Sequence, residues 1–540
     1  MRILGINAVF HDPAAALVVD GEIVAAAEEE RFSRRKHGKQ AVPFSTWELP
    51  TAAARWCLSE AGLTPADVDA VGYSYDPRLM DGQSDDLPGL DRDWEYLRTM
   101  YAQRAPRFLA TALPGLDAES VQFVRHHVAH AASTALASPH RDTAVLVVDG
   151  RGERTSMLAG EYRDGKLDVL ATQELPHSLG LFYENLTEHL GFVRSSDEYK
   201  VMAMASYGTP RFLDRFRELV YSTGDGGFRT EAVDWSSFAP AGWGEQVHFD
   251  LASSAQCVLE EVLLELAGWL HDATGNANLC LAGGVALNCV ANSKIFANSA
   301  FDNIWVQPAA GDSGTALGAA LALAAEAGEP ITPMPSAALG RGWSDSQIEQ
   351  TLREADVRYE RPDDFGAVVG DALADNQLIG WFQGRSEFGP RALGGRSLLA
   401  DPRHVGNLER LNNVKGREQF RPVAPMVLAD RAAEIFSGGP IPSPYMLFVH
   451  DVAESWRERI PAVTHVDGTA RIQTVDTGQA QLHATLSRFA ERTGVPVIVN
   501  TSFNTAGRPM VDSPRDALEC FGSSPIDMLA IGPFIVRRTR

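Results

Sequence analysis

Two imidazoles four residues apart, in the run RHHVAHAA, carry the clearest chemical signal of the first half of the chain. On a helix, that spacing sets His126 and His130 on one face, close enough to share a divalent ion. A carboxylate at a strand end would complete the set. Asp149 stands where an apolar run meets a glycine turn, and Asp312 stands just before a helix in PAAGDSG. Two imidazoles with two carboxylates suit Fe²⁺, Mn²⁺ or Zn²⁺. The same spacing also serves a pair of hydrogen-bonded structural histidines, and spacing alone leaves both readings open. A zinc protease is disfavoured, because His127 follows His126 where the H-E-x-x-H motif needs glutamate.

The second half offers a different chemistry. Between positions 385 and 421 stand Arg385, Arg391, Arg396, Arg403, Arg410, Lys415, Arg417 and Arg421, against Glu387, Asp401, Glu409 and Glu418. Guanidinium groups bind phosphate through paired donors, and lysine adds a mobile charge. A solvated helix face accounts for Arg403 and Arg410, whereas Arg391, Arg396, Lys415 and Arg421 read as phosphate ligands. THVDGTARIQT adds His465, Asp467 and Arg471. NTSFN, after an apolar strand, adds Asn500, Ser502 and Asn504, whose hydroxyl and amide groups suit a carbamoyl or phosphate group. Gly150, Gly152, Gly283, Gly284, Gly311 and Gly314 fall at predicted strand-to-helix junctions, where backbone N–H groups can receive phosphate oxygens. Singly, each is as well explained by its turn.

These residues need a scaffold, and the apolar patterning supplies one. Ile3–Ile6, Ala15–Val19 and Ile23–Ala27 read as strands, the last two joined by an Asp20-Gly21 hairpin turn. Ala144–Val148, followed by a hairpin over 157–170 turning at Asp164-Gly165, repeats the arrangement and predicts an internal duplication. A strand at Asn278–Leu281, a helix at Ala286–Ala297, a strand at Ile304–Val306 and an Ala/Leu helix then indicate an α/β domain. GEPITPMPSAALGRG, from Gly328 to Gly342, reads as a linker. Beyond it, strands are predicted at Leu378–Phe382, Ser397–Ala400, Tyr445–Val449, Val495–Val499 and Met528–Ile531. The expected domains are thus 1–335 and 345–540.

The totals agree with this plan. A chain of 540 residues exceeds one ordinary core. Its net charge of −22 works against nucleic-acid binding. The five cysteines are scattered without a C-x-x-C pair, which argues against disulfides and a thiolate zinc site. No apolar run approaches the ~18 residues of a membrane span. The N-terminus lacks the layout of a signal peptide, so a cytoplasmic protein is expected.

In order along the chain stand HDPAAALVVDG, ERFSRRKH, HHVAHAAS, VVDGRGE, MASYG, LAGGVALN, GDSGTALGAA, GRSEFGPRAL, KGREQFRPVAP, HVDGTARIQT and NTSFN. With these motifs the chain resembles the NodU/CmcH family of O-carbamoyltransferases, whose members act on nodulation factors, cephamycins, aminoglycosides and ansamycins. The resemblance implies an α/β chain: a duplicated actin-like ATPase (ASKHA) domain, then a YrdC-like domain. It implies that ATP and carbamoyl phosphate form carbamoyl-adenylate in the second domain, and that the carbamoyl group then moves to a small-molecule hydroxyl in the first. It implies His126, His130, Asp149 and Asp312 as ligands of iron or a similar divalent ion (Mg²⁺ or Mn²⁺), and His11 and Lys36 as active-site residues of the transfer domain. His11 is the base in this reading, or else a residue that orients a phosphate. Arg391, Lys415, Arg421, Arg471 and Ser502, with Gly283, Gly284 and Asn288, are the implied contacts of ATP and carbamoyl phosphate. Gly395, where relatives often carry Asn, and Arg508, where Glu is common, depart from the pattern.

Two rival readings are a tRNA threonylcarbamoylation enzyme, which the acidic charge opposes, and a non-catalytic actin-like ATPase, which leaves the arginine cluster unused. The acceptor, a natural-product intermediate in this reading, would meet the stretches 75–107 and 223–246, whose Trp94, Tyr96, Tyr101, Trp235 and Trp243 serve packing or stacking. A homodimer stays open; no membrane or nucleic-acid partner is expected.

Overall fold

The structure, a computed structural model, describes residues 1–40, 42–80 and 90–538. The chain forms two compact units, Met1–Ser336 and Ala337–Arg540.

The first unit begins with the alternating apolar segments. β1 (Arg2–Asn7), β2 (Ala14–Val19) and β3 (Glu22–Glu28) form an antiparallel meander. Asp20 and Gly21 take φ of 50° and 80°, the left-handed pair that a two-residue hairpin requires. β4 (Ala70–Tyr73) and β5 (Val121–Phe123) extend the sheet in parallel beyond β1, giving the order β3-β2-β1-β4-β5.

The pattern then repeats. β6 (Thr143–Val148), β7 (Thr155–Arg163) and β8 (Lys166–Glu174) form the second meander, turning at Asp164 and Gly165 with φ of 49° and 74°. After a small hairpin of β9 (Val220–Ser222) and β10 (Phe228–Thr230), β11 (Asn278–Ala282) and β12 (Asn303–Val306) join β6 in parallel. The second sheet is β8-β7-β6-β11-β12, the first order over again. This is the internal duplication that the two Asp-Gly hairpins predict.

In each half the fifth strand feeds a buried helix, His126–Ala135 after β5 and Ser313–Glu326 after β12. The two helices pack on each other. A Cβ added at Gly318 would sit 1.7 Å from the carbonyl oxygen of Ala129, so only glycine permits this approach. The Ala/Leu-rich sequence is thus that of a helix buried all round. No helix among the described residues is long and apolar enough to cross a membrane.

The second unit is built on β13 (Ile379–Phe382), β14 (Arg396–Ala400), β15 (Ala424–Leu428), β16 (Phe436–Ser437), β17 (His450–Val452), β18 (Thr469–Ala470), β19 (Gln473–Val475), β20 (Val497–Ser502), β21 (Met528–Ile531) and β22 (Phe534–Arg537). Seven of these form a mixed sheet in the order β19-β15-β20-β14-β13-β21-β22, and β16-β17-β18 form a small one. Its core includes Trp381, Leu399, Ile498, Phe503 and Leu529, all fully buried.

Two predicted elements are corrected. Tyr445–Val449 is a turn: Met446 takes φ of 57°, and Met446 and Tyr445 pack on Leu393 and Ala424 instead of joining a ladder. The helix predicted from Ala286 starts at Cys289, because Asn288 leaves the helical conformation and caps Ala291 N with its side chain. The five cysteines are free, four of them buried.

Of the stretch 75–107, residues 81–89 lie outside the described residues. Nearby, Trp94 and Tyr96 are exposed on the helix Arg92–Gln103. Trp235, by contrast, packs on Phe182 and Phe216 at 5.4 and 5.9 Å.

Candidate functional site

The helix packing brings the sequence-distant donors together. His126 and His130 occupy the first turns of one helix, Asp312 immediately precedes its counterpart, and Asp149 follows β6. His126 Nε2 lies 3.4 Å from Asp149 Oδ2 and 3.5 Å from Asp312 Oδ1; His130 Nε2 lies 3.7 and 3.6 Å from the same two oxygens. All four residues are buried.

These separations are too long for strong hydrogen bonds. They match the ~3.3–3.6 Å between ligands standing about 2.0–2.2 Å from a shared tetrahedral centre. His126 Nε2, both ring nitrogens of His130 and Asp312 Oδ2 are buried without a hydrogen-bond partner. Leaving so many buried polar atoms unpaired would cost several kcal/mol, roughly 1–3 for each. The donor set therefore fits a divalent cation.

Surrounding groups aim the donors. His126 Nδ1 lies 3.1 Å from the carbonyl of Ser74, so it donates there and turns Nε2 inward. Asp149 Oδ1 accepts from Gly284 N at 2.8 Å, which leaves Oδ2 for the cluster. Glu153 Oε1 receives the backbone N–H groups of both Asp76 and His126, at 2.8 and 2.9 Å. Burial opposes charge on His126, yet Asp312 and Asp149 outweigh it and hold the imidazole charged well above its usual range. Burial likewise opposes ionised Asp149 and Asp312, and the surrounding imidazoles lower both. Burial pushes His127 down to about 4, and its Nδ1 meets Thr155 Oγ1 at 2.7 Å.

His11 lies beside this centre, its Nε2 3.7 Å from Asp312 Oδ2 and its Nδ1 2.9 Å from Asp12 Oδ2. Burial works against a charged ring, but Asp312 and then Asp12 raise it to about 10. Lys36 is not brought to the cluster: its ammonium is nearly half exposed and pairs with Glu30 at 3.5 Å. The neighbouring His37 reaches Asp12 instead, at 2.9 Å. Asp12, His37, His127 and Glu153 were not singled out from the sequence, although HDPAA, RRKH, HHVAH and DGRGE contain them.

The glycine series is largely spent on the protein. Gly152 N donates to Thr155 O, Gly283 N to Ala310 O, Gly284 N to Asp149 and Gly314 N to Gly311 O. Asn288 exchanges hydrogen bonds with Gln256 and caps a helix. Gly283, Gly284 and Asn288 thus help to position Asp149 and the next helix.

In the second unit, Lys415 ends the helix Gly406–Val414 and donates to Ser502 O at 2.6 Å, Ser502 Oγ at 2.9 Å and Asn504 Oδ1. The loop from β13 to β14, which carries Arg391, is organised by Glu387 Oε1. This oxygen accepts from the N–H groups of Leu393, Gly395 and Arg396 at 2.7, 2.7 and 3.2 Å. Asn500 Nδ2 ties that loop at Ala392 O to Gln473 on β19, two residues beyond Arg471. Arg471 Nε is buried without a partner. Arg421 stands 3.3 Å from Glu418. The phosphate reading of Arg396 is corrected: its fully buried guanidinium serves the carbonyls of Gln383, Gly384, Gly395 and Arg341 and stacks on Phe382. Arg403 and Arg410 pair with Asp401 and Asp527.

Comparison with known proteins follows the division into units. Residues 2–321 match the family model described as Carbamoyltransferase N-terminus, and residues 370–538 match Carbamoyltransferase C-terminus. An uncharacterized protein of Synechocystis sp., sll1178, is 38% identical over 607 residues, covering 100% of this chain and 97% of the relative. Nodulation protein NolNO of Sinorhizobium fredii is 38% identical over 564 residues, covering 98% of this chain and 80% of its own length. Among solved structures, the activator of the 2-hydroxyisocaproyl-CoA dehydratase from Clostridium difficile, with bound ADPNP, gives a TM-score of 0.32 at 13% identity, covering 62% of this chain and 100% of that one.

Proposed function

The chain belongs to the carbamoyltransferase family, and from that premise we propose that it is an ATP-dependent O-carbamoyltransferase acting on a small-molecule alcohol, a natural-product intermediate. Carbamoyl phosphate, water and ATP give carbamoyl-adenylate, phosphate and pyrophosphate in the second unit. The carbamoyl group then passes to the alcohol in the first unit, forming the new O–C bond as the C–O bond to AMP breaks. The observation that carries this reading is the convergence of four buried donor atoms beside His11.

His126, His130, Asp149 and Asp312 would hold the divalent ion, Fe²⁺ in our reading. Bound there, such an ion supplies Lewis-acid polarisation of a carbonyl or phosphate oxygen. The chain's own residues do the rest. His11 Nε2 accepts the proton of the attacking hydroxyl. The Asp312 charge comes first among the influences that favour a charged His11, and in a loaded centre that carboxylate would be shared with the ion. In the second unit Arg391, Arg421 and Arg471 neutralise phosphate charge, and Lys415, positioned by Ser502 and Asn504, adds a further donor. Adenylation is chemically apt, because the carbamoyl nitrogen donates into its carbonyl and a good leaving group must compensate.

Purified protein given ATP and carbamoyl phosphate should release pyrophosphate, and extracts of the source organism should then yield a carbamoylated product by mass spectrometry. Failure to release pyrophosphate from both donors together would sink the adenylate route.

A further inference from the structure

Three loops distant in sequence converge behind His11, each turning through a left-handed residue. Asp12, His37 and Ser195 take φ of 47°, 60° and 57°, a left-handed region that side-chain-bearing residues seldom occupy. Their side chains form one line. Ser196 Oγ lies 2.7 Å from His37 Nε2, His37 Nδ1 lies 2.9 Å from Asp12 Oδ1, and Asp12 Oδ2 lies 2.9 Å from His11 Nδ1. The turn that carries Asp12 is pinned from below. Fully buried Asn7 donates to the carbonyls of both His11 and Asp12 at 3.0 Å. His37 is pinned likewise, its backbone N–H donating to Glu30 Oε2 at 2.8 Å.

We propose that Ser196, His37 and Asp12 are positioning residues that fix the tautomer of His11; this rests on the reading of His11 as the base. The hydrogen-bond roles follow from donor counting. A carboxylate only accepts, so both imidazoles must present N–H to Asp12, one to each oxygen. With its proton on Nδ1, His37 has a lone pair on Nε2, which the Ser196 hydroxyl fills. With its proton on Nδ1, His11 has its Nε2 lone pair on the side of Asp312 and the donor cluster, where an acceptor hydroxyl must arrive. Serine thus sets His37, His37 shares Asp12, and Asp12 sets His11. The arrangement orients a base as the buried aspartate of a hydrolase triad does, with a second histidine and a serine added behind the carboxylate.

The test uses the full chain with ATP, carbamoyl phosphate and excess methanol as a surrogate alcohol. Pyrophosphate reports adenylation; AMP and methyl carbamate report transfer. Asp12→Asn should leave pyrophosphate release and metal content intact while slowing transfer by about 10²–10⁴-fold, the scale of a wrong-tautomer base. His37→Leu should slow transfer roughly 10–100-fold, as loss of an orienting partner does. His37→Asn should recover much of that loss, because its side-chain amide can still donate to Asp12 and asparagine tolerates the left-handed backbone.

Equal rates for His37→Leu and the wild type, or His37→Asn no better than His37→Leu, would overturn the proposal. So would a drop in bound metal on His37→Leu, which would assign Asp12, Glu30 and His37 to a second cation. A second readout is independent of the reaction: ¹⁵N-histidine spectra of the zinc-loaded protein, with His11→Asn to identify the signal, should show His11 protonated on Nδ1. Finding the proton on Nε2 would overturn the proposal, whereas absent pyrophosphate in the wild type would instead overturn the adenylate reading.

Discussion

Asp312 shows how much of this molecule's chemistry is held in single side chains. It faces His126 and His130 through Oδ1 and His11 through Oδ2, so it links the proposed metal centre to the proposed base. Removing a donor should empty the centre. His130→Ala is expected to lower bound metal to a small fraction of the wild-type stoichiometry by elemental analysis; full occupancy would show that His130 is not a ligand. A second residue offers a pH test. Burial and then neighbouring Glu184 raise Glu198 from its ordinary 4.5 to about 7. Between those values the folded carboxyl keeps a proton that the unfolded chain has lost, so this group's contribution to stability falls as pH rises through the window. Glu198→Gln should therefore flatten the decline of Tm from about pH 5 to 7. An unchanged slope would contradict the shift.

At the scale of elements, the centre depends on two helices held at backbone contact. Gly318→Val would drive a side chain into the Ala129 carbonyl, a distance a real Cβ never takes. Overpacking of this kind costs about 1–3 kcal/mol or more. The variant should lose metal together with stability, because His126 and His130 move with Ala129; unaltered metal binding would show that the helices are less tightly coupled. A second clamp acts on the loop before His11. Buried Lys39 donates to the carbonyls of Ala8, Val9 and Ser45. Lys39→Met would strip Ala8 O of its donor and leave Val9 O and Ser45 O only Thr46 Oγ1 and Glu48 N, and should lower stability by about 1–3 kcal/mol on chemical denaturation. A change within error would mean that the loop finds other partners.

The whole molecule folds as two units, each with its own core, and the proposed function divides the chemistry between them. Damage in one should then leave the partial reaction of the other. Lys415→Ala should abolish most pyrophosphate release while metal content stays at the wild-type level. His130→Ala should do the reverse, sparing pyrophosphate and blocking AMP-linked transfer. Parallel loss of both activities in both variants would contradict the division of labour.

Short-range regularities made much of the architecture legible without coordinates. Alternating apolar residues with Asp20-Gly21 and Asp164-Gly165 specify two meanders, because a strand's pleat and a left-handed turn are properties of adjacent residues. The i, i+4 spacing of His126 and His130 and the order of motifs along the chain were readable for the same reason. What the fold alone decided are the meetings across long separations: Asp149 with Gly284, His126 with Ser74, His37 with Ser196. Tertiary packing also separated Arg396, locked on backbone carbonyls, from the arginines it resembles in sequence, and placed His37 rather than Lys36 behind His11. Residue type and spacing state which donors a chain carries, but where each donor finds its acceptor depends on distances that exist only once the sheets and helices have closed on one another.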